Sequence, residues 1–155
     1  PRHIDRVKNI EDELLKLNLK IILSSKLEDL TNETDILIVD SYGEALKFYN
    51  ISKCVFLGKS LVKTLINNSG QNPIEPARLG CKIFHGPYVN NFIEIYDYLK
   101  TLRIAKLIND TDELSLSLVE EFEENKDKDD IITKKIHDYG ENIFNNVILE
   151  LRKYI

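Results

Sequence analysis

Residues 36–57 read ILIVDSYGEALKFYNISKCVFL, two apolar runs separated by a polar turn and a segment with helical spacing. The runs Ile36–Val39 and Cys54–Leu57 are continuous and of strand length, which predicts buried strands. Asp40–Gly43 has the composition of a turn, and Glu44–Tyr49 predicts a short helix. A helix between two buried strands indicates parallel strands joined by a right-handed crossover.

The alternation of strands and helices continues on both sides of this segment. Periodicity and apolar runs predict, in order, a helix over 3–17, a strand over 19–23, a helix over 73–79, a strand over 82–85, a helix ending at 100, a strand over 105–108, a helix over 111–125 capped by Thr111, and a final helix over 131–154. We therefore expect a single domain, residues 1–155, of the α/β class: a doubly wound, mostly parallel sheet, with residues 131–155 as a C-terminal helix. Ligands bind such sheets beyond the carboxyl ends of the strands.

Composition limits the classes of partner. The chain has 155 residues and a net charge of −5, which argues against nucleic-acid binding because phosphate neutralisation needs a basic surface. Its apolar runs are too short to cross a membrane. Cys54 and Cys81 lack CxxC spacing and are expected to be reduced core thiols. The absence of Met and the start at Pro1 predict a domain taken from a longer protein.

The stretch with the most chemical content is Asn72–Ala77 (NPIEPA), which follows the small polar residues Ser69–Gln71. A helix beginning near Pro73 would present unpaired backbone N–H groups and a positive dipole end, which can hold an anion such as phosphate. Glu75 would then lie in the first turn, close to the bound group, and accept hydrogen bonds from sugar hydroxyls. The alternative is that Glu75 only stabilises the helix start through the dipole.

Five segments occur in the order, and near the spacing, found in the bacterial 3-deoxy-D-manno-octulosonic acid (Kdo) transferases. They are Pro1–His3, Asp40–Glu44, Gly58–Val62, Gly70–Ala77, and Gly86–Tyr88 followed by Asn91–Phe92. Over residues 1–110 or so, the chain resembles the C-terminal half of those enzymes. The resemblance implies a glycosyltransferase-B (GT-B) architecture, in which two Rossmann-like domains face each other across a cleft and the C-terminal domain holds the donor nucleotide.

The resemblance also implies a reaction and its partners. Kdo transferases transfer Kdo from the donor CMP-Kdo to a lipid A precursor in lipopolysaccharide biosynthesis, at the cytoplasmic face of the bacterial inner membrane and without a metal or cofactor. The acceptor, the membrane surface and the catalytic carboxylate would all be contacts of the N-terminal domain. No catalytic residue is therefore expected in this chain, which by itself should be inactive.

The resemblance assigns donor binding to nine residues: Arg2, Ser41, Tyr42, Gly43, Glu44, Ser60, Gly70, Asn72 and Glu75. Arg2 would contact the CMP phosphate, and Glu75 would bind the ribose hydroxyls. The turn Ser41–Glu44 would lie against the nucleotide, largely through backbone groups. Gly70 and Asn72 would belong to the loop that reaches the phosphate, whereas the role of Ser60, near the cleft, is less defined.

Two departures from the family pattern affect the loops. Lys59 stands in a turn that is usually Gly-Gly-Ser, and Gln71 stands where the family usually has His in a short Gly-Gly-His-Asn loop. The second loop also carries a few extra residues, Lys63–Asn68. Any phosphate contact made by that imidazole is therefore absent here.

Other functions stay open at this stage. One is a related GT-B domain that takes a UDP- or GDP-sugar, because a carboxylate on ribose does not distinguish the bases. Another is a non-catalytic Rossmann-like domain that binds a partner protein through its sheet edge or last helix. That helix carries an apolar stripe, for which core packing is the favoured interpretation: Ile132, Ile136, Phe144, Val147, Ile148 and Leu151. A dinucleotide-binding oxidoreductase is disfavoured because no GxGxxG follows the first strand.

Overall fold

The computed structural model describes residues 3–63, 69–124 and 129–154. Between residues 36 and 123, strands and helices alternate as predicted. The elements are α1 (Val7–Leu15, preceded by a 3₁₀ turn at Ile4–Arg6), β1 (Ile21–Leu23), β2 (Ile36–Ile38), α2 (Ala45–Ile51), β3 (Cys54–Leu57), α3 (Ile74–Arg78), β4 (Lys82–His85), α4 (Ile93–Thr101), β5 (Ala105–Leu107), α5 (Thr111–Glu123) and α6 (Asp130–Leu151). The chain divides into two compact units, Pro1–Lys47 and Phe48–Ile155.

The first unit contains a two-stranded parallel sheet, β1 beside β2, with Ile21 opposite Ile36. Both strands are only three residues long and, apart from the buried Ile38, are half-buried. A side-chain network closes the carboxyl end of this sheet. The carboxylate of Asp40 accepts hydrogen bonds from the hydroxyls of Ser24 (2.7 Å) and Ser25 (2.6 Å).

The second unit contains a three-stranded parallel sheet in the order β3-β4-β5. Its central strand is the most buried, with Ile83 and Phe84 almost inaccessible. Alternate residues of a strand point to opposite faces, and Phe56 of β3 is 38% exposed. One face of β3 is therefore only partly covered, which corrects the expectation that this strand is fully buried. The α/β class with parallel strands is confirmed.

The core of the second unit joins the sheet to three helices. Ile83 and Ala105 of the sheet pack with Tyr96 and Leu99 of α4, Ala77 of α3 and Ile136 of α6; the other buried members are Leu57, Val89 and Ile104. Apolar residues of β3 and β4 pack in this core, which explains why both strands have the bounds predicted from the sequence. Burial of a continuous apolar run is the main source of strand stability here.

Two helix predictions need correction. The cap of α5 is Asp110 and not Thr111, because the Asp110 carboxylate accepts a hydrogen bond from the backbone N–H of Glu113 at 2.8 Å. In α6 the predicted core packing holds only for the N-terminal part, where Ile136 is buried. Phe144 is 59% exposed and Leu151 is 51% exposed. Among the described residues, no helix is both long and apolar enough to cross a bilayer.

Candidate functional site

The loop that follows β3 is attached to the loop that follows β4 through Ser60. The Ser60 hydroxyl donates to the carbonyl of Leu57 at 2.5 Å and accepts from the backbone N–H of Gly86 at 2.9 Å. The Ser60 carbonyl in turn accepts from the N–H of Tyr88 at 2.8 Å. Because the Ser60 side chain is completely buried, it holds these loops together and has no exposed surface to offer a ligand.

Gly86 is required at this junction for steric reasons. A Cβ atom at position 86 would lie 2.2 Å from the carbonyl oxygen and 2.4 Å from the carbonyl carbon of Ser60. Both are backbone atoms, so a larger residue would force the two loops apart. Glycine after a strand indicates no more than a turn, whereas the structure shows a close approach between two loops.

The loop that reaches residue 72 is held at three successive positions. The Ser69 hydroxyl accepts from the N–H of Asn90 at 3.2 Å, and the Gly70 N–H donates to the carbonyl of Lys59 at 2.9 Å. The carbonyl of Gln71 accepts from the hydroxyl of Tyr96 at 3.0 Å. This network brings the predicted residues Ser60 and Gly70 into one connected group of loops.

Gly70 has a structural reason to be glycine. Its φ of +82° lies in the left-handed region, and a Cβ atom would lie 3.1 Å from the Cα of Val89. Its N–H is already donated to Lys59. A contact between this loop and a bound phosphate would therefore have to come from the residues after Gly70.

The start of α3 offers fewer donors than the sequence suggested. The helix has five residues, Ile74–Arg78, so its dipole is small. Pro73 and Pro76 have no N–H, and the N–H of Ile74 donates to Oδ1 of Asn72 at 3.0 Å. Because Oδ1 is engaged, the side chain of Asn72 can offer a ligand the NH₂ group of its amide, which is a donor.

Glu75 lies exposed in the first turn of α3. Burial raises the pKa of Tyr49, and the negative charge of Glu75 raises that pKa further. The carboxylate is therefore open to solvent, and its charge acts on the Tyr49 hydroxyl. A carboxylate in this position can accept hydrogen bonds from ligand hydroxyls.

The turn Ser41–Glu44 belongs to the first unit. Tyr42 is 69% exposed, and Gly43 has a φ of +81° with open space around its Cα. Glu44 forms an ion pair with Lys47 at 2.9 Å. Asp40 precedes the turn, and its carboxylate accepts hydrogen bonds from Ser25 and Ser24 at the strand end. These hydrogen bonds lower the pKa of Asp40 to about 2. Arg2 and residues 64–68 lie outside the described residues.

His85 and Tyr96 are the residues that the sequence analysis missed. The two rings lie against each other, with centroids 4.3 Å apart. Nδ1 of His85 lies 2.8 Å from the carbonyl of Gly86 and must be the protonated nitrogen, because a carbonyl only accepts. Burial lowers the pKa of His85. The signals in sequence were a histidine ending a predicted strand and a tyrosine at a core position of a helix, and neither pattern is specific.

No family model matches the chain. Comparison with curated proteins gives a 3-deoxy-D-manno-octulosonic acid transferase of Haemophilus influenzae, 33% identical over 111 residues, which is 72% of this chain and 25% of the relative. The corresponding enzyme of Aquifex aeolicus is 28% identical over 120 residues, 77% of this chain and 31% of the relative. This chain is a relative of the Kdo transferases. The resemblance predicted from the sequence is confirmed.

Other similarities agree with that relationship. A bifunctional glycosyltransferase/methyltransferase of Fusobacterium nucleatum subsp. nucleatum is 31% identical over 134 residues, 85% of this chain and 20% of the relative. The chain thus spans between a fifth and a third of the length of these three relatives.

A solved structure shares the fold. The crystal structure of the C-terminal CMP-Kdo binding domain of WaaA from Acinetobacter baumannii aligns with a TM-score of 0.75 and 24% identity, covering 89% of this chain and 69% of that one. This Kdo transferase relative therefore has the fold of a Rossmann-like C-terminal domain, as predicted.

Proposed function

We propose that this chain is the donor-binding domain, residues 1–155, of a Kdo transferase of GT-B architecture, and that it binds CMP-Kdo. The observation that carries the proposal is sequence similarity to Kdo transferases over roughly three quarters of the chain. The common fold with a domain described as CMP-Kdo binding supports it. In the intact enzyme, the reaction would be transfer of Kdo to a lipid A precursor at the cytoplasmic face of the inner membrane.

The chemistry of the transfer divides between two domains. The acceptor hydroxyl needs a general base, and the leaving CMP needs its phosphate charge stabilised. We assign the second task to this chain and the base to a further domain, so this chain alone would not catalyse transfer.

We assign the donor contacts to the exposed groups among the described residues and, from the family resemblance, to Arg2. Glu75 would accept hydrogen bonds from the ribose hydroxyls, and Asn72 would donate to the phosphate through its amide NH₂. Arg2 would contribute a charge to the phosphate, and the exposed turn Ser41–Glu44 would contact the nucleotide through its backbone. Ser60 and Gly70 would act indirectly, since both maintain the loops.

A calorimetric or NMR titration with CMP, using UMP and AMP as controls, tests the proposal. We expect binding selective for CMP, with amide shifts near residues 41–44 and 70–75. The variant Glu75→Ala should bind CMP about tenfold more weakly, the equivalent of one charged hydrogen bond. Arg2→Ala should also weaken CMP binding. The matched control is Glu94→Ala, another exposed first-turn glutamate, on α4.

Each outcome of the titration has a distinct meaning. Preference for UMP or AMP over CMP would indicate a different sugar-nucleotide donor. Equal binding of CMP by the parent, Glu75→Ala and Arg2→Ala would refute the assignment of the contacts but not the family. No binding of any nucleotide would refute the donor-binding proposal for this chain.

A second function is favoured by the exposed apolar stripe of α6. Phe144, Val147 and Leu151 are each more than half exposed on one side of the helix, and exposed apolar patches mark interaction surfaces. A non-catalytic domain that binds a partner protein through this stripe would show no nucleotide affinity. It would lose its partner when Phe144 and Val147 are replaced by polar residues.

A further inference from the structure

The hydroxyl of Tyr96 reaches from α4 to the loop before α3. Tyr96 is 2% exposed, and its hydroxyl donates to the carbonyl of Gln71 at 3.0 Å. A buried phenol needs such a partner, because an unpaired polar group in the core is costly. The bond joins residues 25 positions apart in the chain.

The ring of Tyr96 is itself held in place. It lies against the imidazole of His85, the last residue of β4, whose Nδ1 is bonded to the carbonyl of Gly86. Tyr96 therefore links the end of the central strand to the loop at Gln71. Because His85 and Tyr96 are both buried, the position of the hydroxyl is set by packing in the core of the second unit.

The bond to Gln71 determines the direction of the next backbone donor. A trans peptide unit is planar, so the C=O of Gln71 and the N–H of Asn72 point in opposite directions. No cis peptide bond occurs in the described chain. With the Gln71 carbonyl turned inward to Tyr96, the N–H of Asn72 is turned away from the core, at a residue that is exposed.

The N–H of Asn72 is available to a ligand. Within the described parts of the chain it has no protein acceptor, whereas the neighbouring N–H groups of Gly70 and Ile74 donate to Lys59 and Asn72 Oδ1. It lies beside the Asn72 side-chain amide, which is also a donor. Two donors on one exposed residue suit the oxygens of a phosphate.

Resting on the donor site proposed above, we propose that Tyr96 is a positioning residue for the donor phosphate: its bond to Gln71 turns the Asn72 N–H outward as a phosphate donor. Tyr96 contacts no substrate itself. It acts through the peptide unit between Gln71 and Asn72. A nucleoside without a phosphate does not use the Asn72 N–H donor.

The test compares Tyr96→Phe with Tyr98→Phe. The first change removes only the hydroxyl and keeps the ring that lies against His85. The second removes a hydroxyl from the same helix, one that donates to the carbonyl of Lys135 at 3.3 Å on α6 and does not contact the loop. Both variants are checked for folding by thermal unfolding before use.

Affinities for CMP and for cytidine are measured for the parent and both variants. We expect Tyr96→Phe to bind CMP about three- to tenfold more weakly, since one hydrogen bond to a charged phosphate is misdirected. Its affinity for cytidine should be unchanged, and Tyr98→Phe should match the parent for both ligands. An equal loss for CMP and cytidine, or no loss for CMP, would overturn the proposal.

Two NMR measurements separate this proposal from the proposed function. In the ligand-free protein, Tyr96→Phe should shift the amide resonance of Asn72 and Tyr98→Phe should not; an unchanged resonance overturns the positioning role whether or not CMP binds. In the parent, CMP should move the Asn72 amide and cytidine should not. This second measurement needs no variant, so if Tyr96→Phe fails to fold it still tests the outward Asn72 donor, and an Asn72 amide that CMP leaves unmoved overturns the proposal. If the parent binds neither CMP nor cytidine, but Tyr96→Phe still shifts the Asn72 amide in the ligand-free protein, the donor site is overturned and the effect of Tyr96 on the loop is not.

Discussion

Replacement of Gly86 by alanine should be among the most damaging single-methyl additions to this chain. The added Cβ would lie 2.2 Å from the Ser60 carbonyl oxygen and 2.5 Å from the Cα of Leu61. Both neighbours are backbone atoms that cannot rotate away. The loops after β3 and β4 must therefore separate.

The magnitude follows from the contacts that separation breaks. Overpacking of this kind costs about 1–3 kcal/mol. The bonds from Gly86 N–H to Ser60 Oγ (2.9 Å) and from Tyr88 N–H to the Ser60 carbonyl (2.8 Å) would be strained or lost, at about 1 kcal/mol each. We expect a total loss of about 3–5 kcal/mol in the free energy of unfolding, or a fall of roughly 9–15 °C in melting temperature for a chain of this length.

The assay is urea denaturation followed by circular dichroism, with the melting temperature as a second measure. Gly58→Ala is the matched control, because it lies in one of the same loops, has no positive φ, and would place its Cβ more than 4 Å from any described atom outside its neighbours. If Gly86→Ala loses no more stability than Gly58→Ala, the reasoning from the Ser60 contact is wrong.

Two further predictions concern stability. The folded pKa of Asp40, about 2, lies below its ordinary value of 3.8, so the stability that the Asp40 carboxylate contributes is present above about pH 4 and is lost as pH falls through 2. Asp40→Asn should therefore destabilise the chain at pH 6 and progressively less toward pH 2. A difference in urea denaturation that does not change with pH would contradict this. Gly140 lies inside α6 with open space around it. Because glycine is a poorer helix former than alanine, Gly140→Ala should raise the free energy of unfolding by about 0.5–1 kcal/mol. A loss of stability in the same assay would show that the helix needs glycine there.

Much of the fold could be predicted from local sequence. The strand bounds Cys54–Leu57 and Lys82–His85 agree with the structure, because a short segment with apolar residues at its centre and a glycine directly after its last residue leaves few positions where a strand can begin and end. The cap of α5 was misplaced by one residue, since Asp110 and Thr111 are both good caps and only backbone geometry distinguishes them. The apolar stripe of α6 was also misjudged, because periodicity reports which side of a helix is apolar and not how much of its length is covered.

The candidate site was predicted less completely. The motif order pointed to the Kdo transferases and named Glu75 and Asn72, both exposed in the structure. It could not show that Ser60 is buried, or that Tyr96 supports the loop. Those roles depend on contacts between distant segments, 26 residues apart for Ser60 with Gly86 and 25 for Gln71 with Tyr96.

By itself, the sequence determined the α/β class, the parallel strands and the relationship to the Kdo transferases, because apolar run lengths and ordered motifs are properties of local chain segments. Only the tertiary structure decided which polar groups of those motifs stay available to a ligand. Gly70 and Ser60 use their donors within the protein, whereas the Asn72 N–H has no protein acceptor in the described chain. Each donor can be committed to a partner only when folding brings that partner within hydrogen-bond distance.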